Sequence, residues 1–221
     1  EFRKMTGLVY KSFDRKIHVV SPKEVPEYGT HLLGIDFGYT NPLAALFVLV
    51  DKDDNWWVYD EVYDTELVTE QAVNIIQTKM GDNRFATVIG DSAAAQEISN
   101  FNNAGLNVTP CVKSKDSIMS GIRTISDRLK VLEGTGKPKL FISNVCKNLI
   151  FEFESYHYPP EKEERNSSEL PIKENDHALD ALRYLGLSVQ NTNRTAVYKP
   201  SFYKQNKSSS SSAKAKRVIR F

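Results

Sequence analysis

Two apolar runs in this 221-residue chain each end on an aspartate. Leu32-Leu33-Gly34-Ile35 leads into Asp36 and then Phe37-Gly38, while Ala86-Thr87-Val88-Ile89-Gly90 leads into Asp91 and then Ser92-Ala93. A buried strand that stops on a carboxylate and then turns presents that group at the rim of a sheet, where ligands of α/β proteins are met. A third acidic group stands in Asn175-Asp176-His177-Ala178-Leu179-Asp180-Ala181-Leu182. Ala178, Leu182, Leu185 and Val189 give that segment an apolar helical stripe. Asp176 and Asp180 are four apart and share a face, and His177 precedes Asp180 by three, which points Asp180 at a site. Gathered carboxylates push one another toward protonation unless a cation sits between them. Hard oxygen donors at this density suit magnesium or manganese. Two such ions about 4 Å apart activate a water and stabilise the leaving oxygen of a phosphodiester. The implied chemistry is phosphoryl hydrolysis. Taken singly, each residue has a plainer explanation: Asp36 as a turn residue, Asp91 or Asp176 as a helix cap, His177 as a surface histidine. The order strand, strand, C-terminal helix is what joins them.

The elements that must position these groups follow from periodicity. Leu32 to Asp36, Leu43 to Val50 and Trp56 to Tyr63 read as three strands of an antiparallel meander. Glu66 to Met80 has helical spacing and stops at Gly81. Alternation follows: strand Ala86 to Gly90, helix Ala93 to Asn103, strand Val108 to Val112, helix Ile118 to Leu132, strand Leu140 to Ile142, helix Leu149 to Tyr156, and a last helix from about Asn175 to Val189. Three antiparallel strands followed by parallel strands alternating with helices predict a mixed α/β sheet with helices on both faces. Residues 1–30 read as a packed lead-in, 31–189 as the domain itself, and 190–221 as a tail.

Charge is divided unevenly. All 28 acidic residues, against 21 basic ones, precede position 190, and the remaining eight basic residues follow it, so a formal total of +1 combines a body of −7 with an arm of +8. The arm contains Ser208 to Ser212 in a row, a composition expected to be disordered. Cys111 and Cys146 are too few and too far apart for a disulfide framework or a zinc site. No apolar run reaches the roughly 18 to 20 residues of a membrane helix and no signal-peptide pattern opens the chain, so an intracellular location and no membrane partner are expected.

The order Gly34-Ile35-Asp36-Phe37-Gly38, Ile89-Gly90-Asp91-Ser92 and Asn175-Asp176-His177-Ala178-Leu179-Asp180-Ala181-Leu182-Arg183-Tyr184 resembles the nuclease domain of the large terminase subunits of tailed bacteriophages. Lys115 to Ile125 is similar to that family's basic strand-to-helix segment, and Gly7-Leu8-Val9-Tyr10 to Phe13-Asp14 to its junction with an ATPase domain. The resemblance implies an RNase H-like fold and a metal-dependent endonuclease that cuts concatemeric double-stranded viral DNA with little sequence specificity. It also implies action in the host cell cytoplasm beside the ATPase domain of the same full-length protein, the small terminase subunit and the portal protein. Asp36, Asp91 and Asp180 would hold Mg2+ or Mn2+, two ions once DNA is bound. His177 would orient the attacking water or contact the scissile phosphate. Glu61 at the end of the third strand and Asp176 are possible further acids, with a strand-end charge and a helix cap as their respective alternatives. Lys113, Lys115 and Arg123 lie in a basic stretch suited to phosphate contact.

Gly134-Thr135-Gly136-Lys137 lacks the first glycine and the final hydroxyl of a phosphate loop and reads as a turn. Two other classes share part of the pattern. A junction-resolving nuclease of the RuvC kind shares the late helical acid, and an actin-like or chaperone-type ATPase lobe shares Gly34 to Asn41 but needs a second glycine-rich phosphate motif.

Overall fold

The computed structural model describes residues 7–160 and 170–195, with side chains to Val189. The charged loop Glu161 to Glu169 and the arm beyond Thr195 lie outside the described residues. In chain order the elements are α1 (Arg15–His18), β1 (Val19–Val20), β2 (Thr30–Asp36), β3 (Leu43–Val50), β4 (Trp56–Asp64), α2 (Thr69–Met80), β5 (Phe85–Gly90), α3 (Ala95–Asn103), β6 (Thr109–Pro110), α4 (Ser117–Leu129), β7 (Leu140–Ser143), α5 (Lys147–Ser155) and α6 (His177–Thr195). They form one seven-stranded mixed sheet in the order β1-β7-β4-β3-β2-β5-β6. β2, β3 and β4 are antiparallel neighbours; β5 is parallel to β2, and β7 to β4.

The central strands explain themselves. β3 is buried along its whole length, as a strand covered on both faces must be. On one face α2 and α3 enclose Leu33, Ile35, Ala45, Phe47, Ile76 and Phe101. On the other, α4, α5 and α6 enclose Leu32, Leu46, Val48, Trp56, Ile125, Phe153 and Leu182. The lead-in joins this second layer: Tyr10 is 2% exposed and sits edge-on to Phe153, and Val19–Val20 adds the outermost strand beside β7.

Several boundaries differ from those read off the sequence. Glu66 lies in the left-handed region and its amide donates to Tyr39 O, so α2 starts only at Thr69. Asn175 is left-handed too, which delays α6 to His177, and the helix runs on to Thr195. α4 stops at Leu129 because Lys130 is extended and Leu132 closes a tight turn onto Gly136 and Lys137. Only Thr109–Pro110 of the segment Val108 to Val112 pairs as a strand; the Cys111 amide makes the last bond, to Gly90 O at 2.8 Å, where β5 itself ends.

Gly34 sets how closely α6 lies on the sheet. A Cβ there would overlap the Ala181 carbonyl and come within 2.9 Å of Leu185 Cγ, so the backbone of α6 rests directly on β2. Replacing Gly34 with alanine is expected to destabilise the protein by about 1–3 kcal/mol through overpacking, a fall of several degrees in melting temperature. Thermal denaturation with an unchanged midpoint would contradict this account of the packing.

Candidate active site

β2 and β5 are parallel neighbours with Ile35 opposite Gly90, so Asp36 and Asp91 leave the same edge of the sheet side by side. α6 crosses that edge and brings its first two turns over both. Tyr184 Oη is the point at which the three aspartates meet, 3.3 Å from Asp36 Oδ1, 3.0 Å from Asp91 Oδ2 and 3.4 Å from Asp180 Oδ2. A phenol has one proton to donate, so at most one of these contacts is a full hydrogen bond at any instant.

The other oxygen of each carboxylate is held by a basic group. His177 Nδ1 lies 3.0 Å from Asp36 Oδ2. Lys113 Nζ donates to Asp91 Oδ1, with Ala93 N on the same atom at 2.8 Å. Arg183 donates to Asp180 Oδ1 through Nη2 at 2.5 Å and Nε at 3.2 Å. Gly121 of α4 makes room for that arginine, since a Cβ would overlap its Cγ. One oxygen per aspartate therefore faces a common centre and the other faces outward to a basic side chain.

Electrostatics follow this geometry. Burial pushes Asp36 up, and Asp180 adds to it, with His177 and Tyr184 offsetting only part. Burial raises Asp91 as well, but the hydrogen bonds from Lys113 and the Ala93 amide outweigh it and hold the carboxyl below its usual range. Asp176 is pushed up to about 6 by burial and by Asp180. The hydrogen bond to Asp36 raises His177, favouring the imidazolium. Burial and then the three aspartates hold Tyr184 far above an ordinary phenol, so it remains a proton donor.

The donor set suits a hard divalent ion: three carboxylate oxygens, two of them on carboxylates shielded from bulk water, turned toward one centre. Among the described residues no group of three or more His, Cys, Asp or Glu side chains stands ready, as arranged, to hold a metal ion.

Of the residues singled out from sequence, Asp36, Asp91, Asp180 and His177 come together here, and Asp176 is buried in the wall of the same cleft. Lys113 reaches the centre through Asp91. Lys115 is exposed in the loop before α4, and Arg123 is exposed on α4. Glu61 is placed differently: its carboxylate accepts from Asn148 N and Nδ2, both at 2.9 Å, and from Leu149 N at 3.1 Å. It caps α5, whose own cap residue Cys146 makes no side-chain capping bond, and its hydrogen bonds run to that helix instead of to the aspartates. Asp91 does not cap α3, whose N-cap is Ala94; its Asx turn to Ala93 instead shapes the loop before that helix and coexists with its place in the cluster. Sequence reasoning gave no role to Tyr184, Arg183 or Lys173. The first lies four residues after Asp180 and seven after His177, a spacing that puts all three on one helix face. Lys173 lines a cleft of about 250 Å³ with Lys113, Asp176, Asp180 and Arg183, a placement that depends on the loop before α6.

Comparison with known proteins joins this geometry to a family. Residues 36–185 match the model of the terminase RNase H-like domain, a span that begins on Asp36 and ends just past Tyr184. The chain belongs to that family. It is 29% identical over 193 residues to the large terminase subunit of Escherichia phage T5, a match over 83% of this chain but 42% of that protein, so the chain spans under half the length of this relative. The large terminase of a thermophilic bacteriophage superposes with a TM-score of 0.70 at 26% identity, over 84% of this chain and 45% of that one. The nuclease domain of the large terminase g2p from bacteriophage SPP1, solved with bound Mn, superposes at 0.61 with 20% identity, over 85% of this chain and 98% of that one. This terminase domain thus has the fold that its sequence resembled, and the family match separates it from the RuvC-type and ATPase-lobe alternatives.

The raised Asp176 carries a stability consequence. A carboxyl whose pKa rises from 3.8 to about 6 on folding contributes stability below its unfolded value that is lost as pH rises through the folded one. Asp176→Asn removes this loss, because the amide is close to the carboxyl in size and carries no charge at any pH. Without divalent ions, the variant is expected to melt above the parent at pH 8 and level with it at pH 4. A variant that melts lower than the parent at pH 8 would refute this.

Proposed function

We propose that this terminase domain is a divalent-metal-dependent endonuclease that hydrolyses phosphodiester bonds of double-stranded viral DNA, cutting concatemers during genome packaging with little sequence preference. The observation that carries this proposal is the convergence of one oxygen each from Asp36, Asp91 and Asp180 on Tyr184 Oη. The Mn bound by the related SPP1 nuclease domain and the magnesium bound by that of phage G20c support a divalent ion, Mg2+ or Mn2+. Asp36, Asp91 and Asp180 would hold it, and two ions with DNA bound suit an in-line displacement.

A bound divalent ion supplies a Lewis acid and a water activated at neutral pH. The chain's own groups account for the rest. Outward hydrogen bonds from Lys113, Arg183 and His177 fix each carboxylate's rotation, so the inward oxygens are in place before substrate arrives, and such preorganisation lowers the barrier. His177 is engaged through Nδ1, which leaves Nε2 to meet a phosphate oxygen or orient the attacking water. That water's oxygen bonds to phosphorus as one ester P–O bond breaks, and the departing oxygen takes up a proton. Lys173 at the cleft wall, with Lys115 and Arg123 outside it, offers the cations a polyanion needs to approach a body of net negative charge. In the full-length protein, the ATPase domain, the small terminase subunit and the portal would deliver DNA to this edge in the host cell cytoplasm. No helix among the described residues is long and apolar enough to cross a membrane.

Supercoiled plasmid incubated with the protein tests this directly. Manganese and magnesium are expected to support nicking and linearisation, while calcium and chelator are not. Asp36→Asn and Asp180→Asn should each lose at least about a hundredfold in rate, the scale of removing one preorganised electrostatic group. Undiminished cutting by either variant would remove that residue from the site.

A further inference from the structure

Asp36 and Asp91 are held directly by the sheet, whereas His177, Asp180 and Tyr184 ride on α6 and need its first turn fixed against that sheet. We infer that Glu152 of α5 is the positioning residue that fixes it, an inference that rests on the nuclease function proposed above. Glu152 is a fully buried carboxylate in the apolar layer beneath α6. Its Oε2 accepts from Leu179 N at 2.8 Å, the Ala178 amide also donates to the carboxylate, and its Oε1 accepts from Tyr63 Oη at 2.9 Å. Ala178 and Leu179 are the second and third residues of α6, whose amides have no partner within the helix. Capping usually comes from the residue just before the helix; here it comes from another helix, 27 residues earlier in sequence.

The same device recurs one step back. Glu61 on β4 takes the first amides of α5, so two carboxylates in series tie the sheet to α5 and α5 to α6. Tyr63, on the same strand as Glu61, closes the path by donating to Glu152, and its ring stands 6.5 Å from that of His177. The helix dipole adds to the fit, because a buried anion is favoured at a helix N-terminus. Glu152 touches neither the aspartates nor the cleft in which substrate would bind. Its effect on cleavage runs through the placement of His177 and Asp180.

The test compares three forms of the whole chain: the parent, Glu152→Asp, which keeps the charge but retracts it, and Glu152→Gln, which keeps the reach and one acceptor. Each is first checked for a cooperative thermal transition above the assay temperature. In manganese-dependent plasmid cleavage the Asp form is expected to lose on the order of 10- to 100-fold in kcat, the scale of an ångström-level misplacement, with KM for DNA within about twofold. The Gln form should recover at least a third of the parental kcat. A folded Asp form with parental kcat overturns the inference, as does a Gln form no better than the Asp form. If the Asp form does not fold, Glu152→Leu replaces it with the same expectations, and failure of both to fold beside an intact Gln form assigns Glu152 a purely structural role. No metal-dependent cutting by the parent chain overturns the nuclease function itself, a different result from parental cutting that is insensitive to Glu152.

Discussion

Three carboxylates facing one hydroxyl repel one another, and that repulsion is the constraint to which the rest of the domain answers. Tyr184 can satisfy only one of them at a time. The fold contains the strain by pairing each outward oxygen with a basic group of its own: His177 for Asp36, Lys113 for Asp91 and Arg183 for Asp180. The inward oxygens are left concentrated at one place, around the Tyr184 hydroxyl. A divalent ion relieves their charge, and the outward pairs keep the geometry ready for it.

Holding the cluster requires three pieces of chain to arrive with little slack. The parallel pairing of β2 with β5 sets Asp36 beside Asp91 without help from any side chain. α6 arrives on top because Gly34 leaves no Cβ between helix and strand, and Arg183 reaches Asp180 because Gly121 leaves none on α4. Glycine matters at both places for the closeness it permits. Carboxylate caps complete the arrangement, with Glu61 seating α5 and Glu152 seating α6. Asp36, Asp91 and Asp180 thus gather charge at the sheet edge, while Glu61 and Glu152 neutralise helix ends beneath it.

Much of this was legible in the sequence because it is written locally. An apolar run ending on Asp36, another on Asp91, and the stripe of Ala178, Leu182, Leu185 and Val189 each describe one element and one direction, and the mixed sheet with helices on both faces follows from their order. Other features depend on contacts between distant residues. Glu61 at a strand end looks the same whether it meets a metal or the amides of Asn148 and Leu149, 87 and 88 residues away. Left-handed Glu66 and Asn175 shift two helix starts; glutamate gives no sign of it, and asparagine, which tolerates that region, is equally at home as a helix cap. Tyr184 sat inside the motif that carried the family resemblance, yet its role as hub appears only once β2, β5 and α6 are assembled.

The central claim is that the three inward oxygens form one metal-binding centre. Crystals of the domain grown with manganese and measured at the manganese absorption edge test it most directly. An anomalous peak is expected within ligating distance of Asp36, Asp91 and Asp180, with His177, Lys113 and Arg183 still on the outward oxygens. At saturating manganese, no peak at that edge, or one bound elsewhere with the three aspartates unchanged, would contradict it.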